Sequence, residues 1–142
     1  YEYLRDYFVD QDFGGVYWEL NAQGQVANGK KQIYAQAFAI YALSAYYKLT
    51  QDLKALNLAG VLFDLIEHYG IDKQHQGYLE AFTREWKPID DLRLSDKDLN
   101  FPKSQNTHLH ILEAYTGFLQ VYPDPKIHQA LRYNIDMFDH YM

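Results

Sequence analysis

The 142-residue sequence predicts an all-α fold built from pairs of helices that are joined by extended turns. Three observations indicate it. Most of the chain carries apolar residues three and four positions apart, which is the spacing of an amphipathic helix. A motif of Asp, then Gly five positions later, then aromatic or apolar residues and Glu occurs twice, about 62 residues apart. The stretches rich in strand-forming residues are short and lie beside these motifs. A period of this size is typical of repeat architectures, in which each helix pair buries its apolar face against its neighbours.

The first half of the sequence predicts a hairpin followed by a pair of helices. Apolar spacing over residues 3–8 predicts the end of a helix. Strand-forming residues over 16–20 precede the turn-like stretch 21–24, which predicts a short strand or hairpin. Helical spacing follows over 31–50 and again over 53–69, so these two stretches form the first predicted helix pair.

The second half repeats this order with a longer connection. The motif returns between Asp72 and Gly77, and a polar, irregular stretch with two prolines follows over 87–104. A loop of this length in a compact protein is usually functional. Helical spacing resumes over 106–122, and a Pro-Asp-Pro break separates that helix from a last one that starts near Lys126. We therefore expect about two helical hairpins, with long loops at one end of the helices.

Composition narrows the class of partner. The net charge is −6, with 13 scattered basic residues against 19 acidic ones, whereas nucleic-acid-binding proteins present clustered Lys and Arg. We therefore predict no nucleic-acid partner and a small polar or neutral substrate. The absence of cysteine excludes disulfides, thiolate metal sites and cysteine nucleophiles. Hydrophobic residues make up 48% of the chain, which is enough for a core.

The ends of the sequence and its hydropathy suggest where the protein resides. No apolar run approaches the roughly 20 residues that cross a bilayer, and the first residues do not resemble a signal peptide. With the lack of cysteine, this favours a cytoplasmic protein without a membrane partner. Both ends fall within helical patterns that lack terminators, so we interpret residues 1–142 as part of one larger domain. Exposed helix faces at both ends of such a segment predict self-association.

The most specific stretch of the sequence lies at 103–116, directly after the polar loop. His110 and Glu113 are three residues apart and therefore share one helix face. Asn106 or Thr107 is the predicted N-cap of this helix. A carboxylate beside an imidazole fixes its tautomer, and such a histidine can act as a general acid or base near neutral pH. The pair therefore predicts a proton-transfer site.

Two other interpretations of this stretch stay open on spacing alone. A His-x-x-Glu pair on a helix also occurs as ordinary solvent-exposed polarity. His108 and His110 are alternatively metal ligands, although the sequence offers no third ligand nearby. We predict neither a metal nor a cofactor. The other histidines are expected at the surface, at positions 68, 75, 128 and 140.

Four stretches of the sequence, in the same order and spacing, carry a resemblance to a known family. They are GGVYW at 14–18, KQIYAQAFAIYAL at 31–43, GYLEAF at 77–82 and NTHLHILEAY at 106–115. Together they resemble the cellobiose (mannobiose) 2-epimerases, which belong to the wider N-acylglucosamine 2-epimerase superfamily. The resemblance covers essentially the whole chain.

The resemblance implies both a fold and a reaction. The fold is an (α/α)6 barrel, a toroid of six helix pairs with short β-hairpins in its loops and a sugar site in its mouth. The reaction inverts C2 of a reducing-end aldose, glucose to mannose, by ring opening and proton transfer between two histidines and an enediolate. His110, with Glu113, matches one of these histidines. The second histidine, an arginine and later tryptophans fall outside this chain, so the resemblance implies that the chain alone is inactive.

Four further side chains are candidates for contact with a sugar. Gln36, near the start of its helix, can reach a sugar hydroxyl, and Tyr34 lies close to it in sequence. Asn106 shares the polar face of the later helix. Trp86 can stack on a pyranose ring. For Gln36 and Trp86 the alternative is structural, namely solvation near a helix start and packing of the loop.

Other functions remain open at this point. An N-acylglucosamine 2-epimerase and an aldose–ketose isomerase both use proton transfer next to a carbonyl. A glycoside hydrolase needs two carboxylates, for which Glu80, Glu85 and Asp90 are candidates. A non-catalytic sugar-binding domain is favoured if His110 is buried against apolar neighbours while Glu113 faces solvent.

Overall fold

The computed structural model describes residues 1–141 and consists of four long helices with short strands in the connections. The helices are α1 (Ile33–Thr50), α2 (Leu53–Leu65), α3 (Gln105–Val121) and α4 (Pro125–Tyr141). The strands are β1 (Glu19–Leu20), β2 (Val26–Asn28), β3 (Lys31–Gln32) and β4 (Ala81–Phe82), and two π-helical turns span Leu4–Phe8 and Ile66–Gly70. β1 pairs with β2 and β3 with β4, both antiparallel. The prediction of an all-α fold with short hairpins is confirmed. Met142, the last residue of the last predicted helix, lies outside the described residues.

Short connections make each helix pair. Gln51 ends α1 in the left-handed conformation, with φ of 58°, and the carboxylate of Asp52 accepts the amide of Lys54 at 2.9 Å to begin α2. Asp124 accepts the amide of Lys126 at 2.8 Å in the same way at the start of α4. Chain reversal over so few residues places α2 against α1, and α4 against α3.

α1 and α3 lie side by side and run parallel. Phe38 contacts the ring of His110, and further along both helices Tyr41 packs over Gly117, so the contacts advance in the same direction. The core between the helices is built from apolar residues at helical spacing, namely Ile33, Ala37, Ile40, Leu43, Leu62, Phe63, Ile66, Ile111, Tyr115 and Phe118. No helix within residues 1–141 is both long enough and apolar enough to span a bilayer.

The first copy of the sequence motif folds into a tight turn. The amide of Asp10 donates to the carbonyl of Gly15 at 2.9 Å, and its carboxylate accepts the amides of Asp12 and Phe13 at 3.0 and 3.3 Å. Gly15 has φ of 76°, a conformation that residues with a Cβ rarely adopt. Asp at the start and Gly at the end therefore both serve the turn.

The second copy folds into the same turn. The amide of Asp72 donates to the carbonyl of Gly77 at 2.9 Å, and its carboxylate accepts the amides of Gln74 and His75 at 2.9 and 3.0 Å. Gly77 has φ of 74°. A π-helical turn precedes each motif, so the repetition extends beyond the quoted residues.

The hairpin after each turn is also repeated. In 21–25 and in 83–87 the amide of the first residue donates to the carbonyl of the last at 2.8 Å. The fourth residue of each stretch has a left-handed backbone, Gly24 with φ of 76° and Trp86 with φ of 62°. A tryptophan thus occupies a conformation that usually favours glycine.

α3 begins earlier than the sequence predicts. Its N-cap is Ser104, whose hydroxyl accepts the amide of Thr107 at 3.1 Å, so the prediction of Asn106 or Thr107 as the cap is wrong. The buried carboxylate of Glu80 accepts the Ser104 amide at 2.7 Å and the Thr107 hydroxyl at 2.6 Å. Burial raises the pKa of Glu80, although these hydrogen bonds oppose the shift. Glu80 therefore anchors the start of α3, a task different from that of a hydrolytic carboxylate.

An ion pair lies beneath the first turn. The Nζ of Lys31 is 2.8 Å from Oδ2 of Asp10, and both side chains are 0% exposed. Arg84 adds a bidentate contact to the same carboxylate, at 2.8 and 2.9 Å. Because Arg84 belongs to the later hairpin and Asp10 to the first turn, this cluster ties the two repeats together. The repeat-equivalent pair, Asp72 and Lys103 at 2.7 Å, is partly exposed.

Candidate functional site

The predicted contact between His110 and Glu113 forms on α3. Nδ1 of His110 lies 2.7 Å from Oε2 of Glu113, with the imidazole 19% exposed and the carboxylate 52% exposed. Since a carboxylate only accepts hydrogen bonds, this contact places a proton on Nδ1. Nε2 can then accept a proton when the ring is neutral and deliver one when the ring is protonated.

Aromatic rings from α1 surround the imidazole. The Tyr34 ring meets it edge-on at 4.8 Å between centroids, and the Phe38 ring lies at 4.5 Å. Trp18, next to β1, contacts Tyr34 edge-on at 6.3 Å. Tyr34 is thus brought to His110 by the parallel packing of α1 on α3. His110 is neither fully buried nor freely solvated, while Glu113 faces solvent, so the condition set for a non-catalytic domain is met for Glu113 and only partly for His110.

Gln36 is directed away from this cluster. Its side chain is fully buried, Oε1 accepts the amide of Val16 at 2.7 Å, and Nε2 donates to the carbonyls of Val16 and Gln32 at 2.9 and 3.3 Å. The carboxamide therefore fastens the first turn to α1. The structure gives Gln36 the structural role that was the alternative to sugar contact.

Trp86 is likewise part of the interior. The indole is 5% exposed, donates from Nε1 to the carbonyl of Phe13 at 2.9 Å, and stacks on Tyr69 at 4.9 Å. Its edge approaches Gly15, where an added Cβ would lie 2.6 Å from Cζ2. Trp86 therefore packs the loop, and its faces are not available to a pyranose in this structure.

Asn106 and His108, both near the start of α3, differ in their exposure to solvent. Asn106 is exposed in the first turn of α3, one turn before His110. His108 is fully buried, with Nε2 accepting the amide of Tyr78 at 2.9 Å and Nδ1 facing the carbonyl of Ser104 at 2.7 Å. Both nitrogens of His108 are in use, so the ring is not presented to a metal. Among residues 1–141, no group of three or more His, Cys, Asp and Glu side chains is placed to hold one.

Sequence reasoning missed the role of His108, although a signal for it exists. Lys31 and Gln36 are five residues apart after the first motif, and Lys103 and His108 are five apart after the second. Gln36 and His108 each accept the amide that follows the turn glycine. Extending the repeat past the polar loop, by 72 residues instead of 62, aligns these pairs.

A cleft of about 1110 Å³ opens between the end of α2 and α4, away from the His110 cluster. Glu67 lines it and accepts hydrogen bonds from the hydroxyls of Tyr78 and Tyr115 at 2.9 and 2.7 Å. Burial raises the pKa of Glu67, partly offset by these two bonds. The cleft contains neither His110 nor Glu113, so the candidate proton-transfer site is a separate surface at the α1–α3 contact.

The architecture of paired helices with parallel neighbours, α1 and α3, is that of one part of an (α/α)6 barrel. The match to a protein-family model identifies the family. The chain belongs to the N-acylglucosamine 2-epimerase (GlcNAc 2-epimerase) family, whose model matches residues 1–132.

Relatives and solved structures agree with this membership. The chain is 50% identical to a cellobiose 2-epimerase of Bacteroides fragilis over 136 residues, covering 96% of the chain and 35% of the relative. It is 39% identical to one of Ruminococcus albus, covering 95% and 34%. The cellobiose 2-epimerase structure from Bacillus thermoamylovorans B4167 superposes with a TM-score of 0.92 at 36% identity, over 99% of this chain and 36% of that one. A D-mannose isomerase, 24% identical with a TM-score of 0.76 over 94% of this chain and 32% of that one, shares the fold. The chain thus spans about a third of the length of the curated relatives it matches.

Proposed function

We propose that the full-length protein containing this chain is a sugar 2-epimerase that inverts C2 of the reducing-end glucose of cellobiose or a related β-linked disaccharide. The observation that carries the proposal is the 2.7 Å contact between His110 and Glu113, set beside the rings of Tyr34 and Phe38. The names of the relatives support the substrate class, since several similar proteins are cellobiose 2-epimerases. The proposal concerns the full-length protein because this chain corresponds to about a third of the relatives' length, and the proposed site needs more than that part of the barrel.

The proposed chemistry begins with opening of the sugar ring, which makes C2 adjacent to an aldehyde. Nε2 of His110 then removes the C2 proton, and the electron pair of that bond forms the C1–C2 double bond of an enediolate, with negative charge on O1. Return of a proton to the opposite face of C2 gives the mannose configuration. Because one imidazole serves one face only, a second acid–base group is required, and we place it in the part of the protein that this chain does not span.

Glu113 is proposed to position His110 for this step. Its carboxylate holds the proton on Nδ1, which leaves Nε2 free to accept the C2 proton. The negative charge also favours the imidazolium that forms on proton transfer. The adjacent aromatic rings shield one side of the imidazole from water, and Asn106 and Tyr34 are the nearest candidates for hydrogen bonds to sugar hydroxyls.

The test follows deuterium at C2. The full-length protein is incubated with cellobiose in D2O, and the C1 and C2 signals of the reducing-end sugar are recorded by NMR. We expect a mannose-type signal with deuterium at C2. His110→Ala should lower kcat by about 10²–10⁴-fold, the usual contribution of a general acid or base. The matched control is His128→Ala, since His128 is an exposed histidine on α4, and it should leave the rate unchanged.

Each other outcome has a defined meaning. A ketose product labelled at C1 would replace epimerisation by aldose–ketose isomerisation through the same enediolate. Turnover of N-acetylglucosamine but not of cellobiose would move the substrate to N-acylated sugars. Release of free glucose would support a hydrolase instead. Full activity of His110→Ala would remove His110 from the mechanism whatever the substrate.

Glu113→Gln is expected to separate positioning from proton transfer. Glutamine can still accept a hydrogen bond from Nδ1 but carries no charge to favour the imidazolium. We therefore expect a loss of kcat that is clearly smaller than that of His110→Ala, with KM little changed. Initial rates on cellobiose over a range of concentrations check this. A loss as large as that of His110→Ala would instead give the carboxylate a direct part in the reaction.

A further inference from the structure

In both turns, the backbone amide of the residue after the glycine donates a hydrogen bond to a side chain of the next long helix. At the first turn, Oε1 of Gln36 accepts the amide of Val16 at 2.7 Å, while Nε2 donates to the carbonyls of Val16 and Gln32. We call this contact the first clamp. It fastens the turn at Gly15 to the start of α1, and no group in it changes charge with pH.

The second clamp has the same geometry with a different acceptor. Nε2 of His108 accepts the amide of Tyr78 at 2.9 Å, and Nδ1 lies 2.7 Å from the carbonyl of Ser104. Ser104 stands four residues before His108, as Gln32 stands four before Gln36. A carbonyl only accepts, so the proton is on Nδ1 and the ring must be neutral for Nε2 to accept.

We propose that His108 is a pH-sensitive latch: its protonation releases the turn at Gly77 from α3, whereas the equivalent turn at Gly15 stays fastened through Gln36. The inference goes beyond the proposed sugar chemistry and does not depend on it. It concerns the helix that carries His110, because His108 lies two residues earlier on α3.

Protonation and the closed clamp exclude each other for a geometric reason. A proton on Nε2 would point at the amide hydrogen of Tyr78, so two donors would face each other in a fully buried site. The turn offers no spare room, since a Cβ on Gly77 would already lie 2.9 Å from Nε2. Relief therefore requires the turn and α3 to separate.

Burial lowers the pKa of His108; the carbonyl of Ser104 opposes this, and the positive charge of Lys103 adds to it. The histidine is thus neutral in the closed clamp at a pH where it would be protonated in water. A lowered pKa means that the closed state binds fewer protons than the open one. The clamp is at full strength above about pH 6.5, the ordinary value for histidine, and weakens as the pH falls below it.

Other titratable and charged groups face this site from each neighbouring element. Lys103, just before α3, pairs with Asp72 of the turn at 2.7 Å, and this contact holds the pKa of Asp72 well below its usual range. Glu80 contacts the start of α3 and has a raised pKa. The hydroxyl of Tyr133, from α4, accepts the amide of Gly77 at 2.7 Å. His75, in the same turn, lies with Nδ1 3.3 Å from Oδ2 of Asp72. A variant that changes only His108 separates its contribution from those of Glu80 and His75.

The test measures amide hydrogen exchange in the full-length protein between pH 8 and 5, corrected for intrinsic exchange and resolved to the two turns by mass spectrometry. We expect protection of the Tyr78 amide to fall by up to about tenfold per pH unit below 6.5. Protection of the Val16 amide should change less than twofold and serves as an internal control.

Two variants complete the test. His108→Gln copies the first clamp and should keep the Tyr78 amide protected while removing the pH dependence. Gln36→His should transfer the pH dependence to Val16. Parallel protection of both amides in the unmodified protein across this range would overturn the proposal. So would a pH dependence that persists in His108→Gln, because Glu80 and the other neighbours are unchanged there.

Discussion

Replacing Asp10 by asparagine is expected to destabilise the protein by roughly 3–5 kcal/mol, the usual loss when one partner of a buried ion pair is removed. The ammonium of Lys31 is 0% exposed and lies 2.8 Å from the carboxylate. Asparagine keeps an oxygen for the turn amides of Asp12 and Phe13, so the substitution removes the charge and leaves the turn acceptor in place. The uncompensated ammonium of Lys31, together with the weakened contact of Arg84 with this side chain, then accounts for the loss.

The ionisation of this cluster supports a charged pair in the folded protein. Burial alone would raise the pKa of Asp10, but hydrogen bonds from Arg84, Lys31 and the turn amides outweigh it and hold that pKa well below its usual range. Burial lowers the pKa of Lys31, and the contact with Asp10 opposes this. The negative charge of Asp10 thus favours the charged form of Lys31, and the ammonium of Lys31 in turn favours the charged form of Asp10.

The repeat supplies a matched control for this prediction. Asp72→Asn removes the same charge from the equivalent position of the second turn, but its partner Lys103 is 21% exposed and can be solvated. We expect a loss of about 0–1 kcal/mol there. A double variant, Asp10→Asn with Lys31→Met, should recover much of the loss because it removes the buried unpaired charge. Urea unfolding of the full-length protein, followed by circular dichroism, measures all three. A loss for Asp10→Asn as small as the one expected for Asp72→Asn would show that water reaches Lys31.

Features that depend on neighbours along the chain were predictable from the sequence. The contact of His110 with Glu113 follows from helical spacing, and it forms. The two turns follow from the spacing of Asp10 to Gly15 and its repetition, since side-chain to backbone bonds within six residues define them. The helix pairs were found for the same reason, because the apolar period is a local property.

Features that depend on contacts across the fold were not predictable in this way. Gln36 is polar and near a helix start, which favours solvent, yet Val16 folds back over it and buries it. Ser104 caps α3 because Glu80, 24 positions earlier, fixes its amide there. The backbone of Trp86 has the left-handed conformation, and a bulky side chain gives no local sign of it. For Trp86 the only sign in the sequence is its alignment with Gly24.

Gly15→Ala is expected to destabilise the protein by roughly 2–5 kcal/mol, from two separate effects. With φ of 76°, an alanine loses about 1–2 kcal/mol to backbone strain. Its Cβ would also lie 2.6 Å from Cζ2 of Trp86 and 3.0 Å from Oε1 of Gln36, and overpacking of a fixed core typically costs about 1–3 kcal/mol. Trp86 cannot retreat freely, because its ring stacks on Tyr69 and its Nε1 is bonded to a carbonyl.

Gly24→Ala separates the two effects. Gly24 has the same φ of 76°, but its added Cβ would meet the ring of Tyr7 at 3.2 Å, and that side chain is 48% exposed and can move aside. We therefore expect only the strain of about 1–2 kcal/mol there. The difference between the two variants in urea unfolding is then the steric contribution of Trp86 and Gln36. If both variants lose the same stability, Trp86 can move away from the added Cβ without a cost in free energy. The close packing of Trp86 on Gly15 is then not required to hold the first turn against the second hairpin. A larger loss at Gly15 means that the glycine is required for the interlocking of the two repeats as well as for the bend of its own turn.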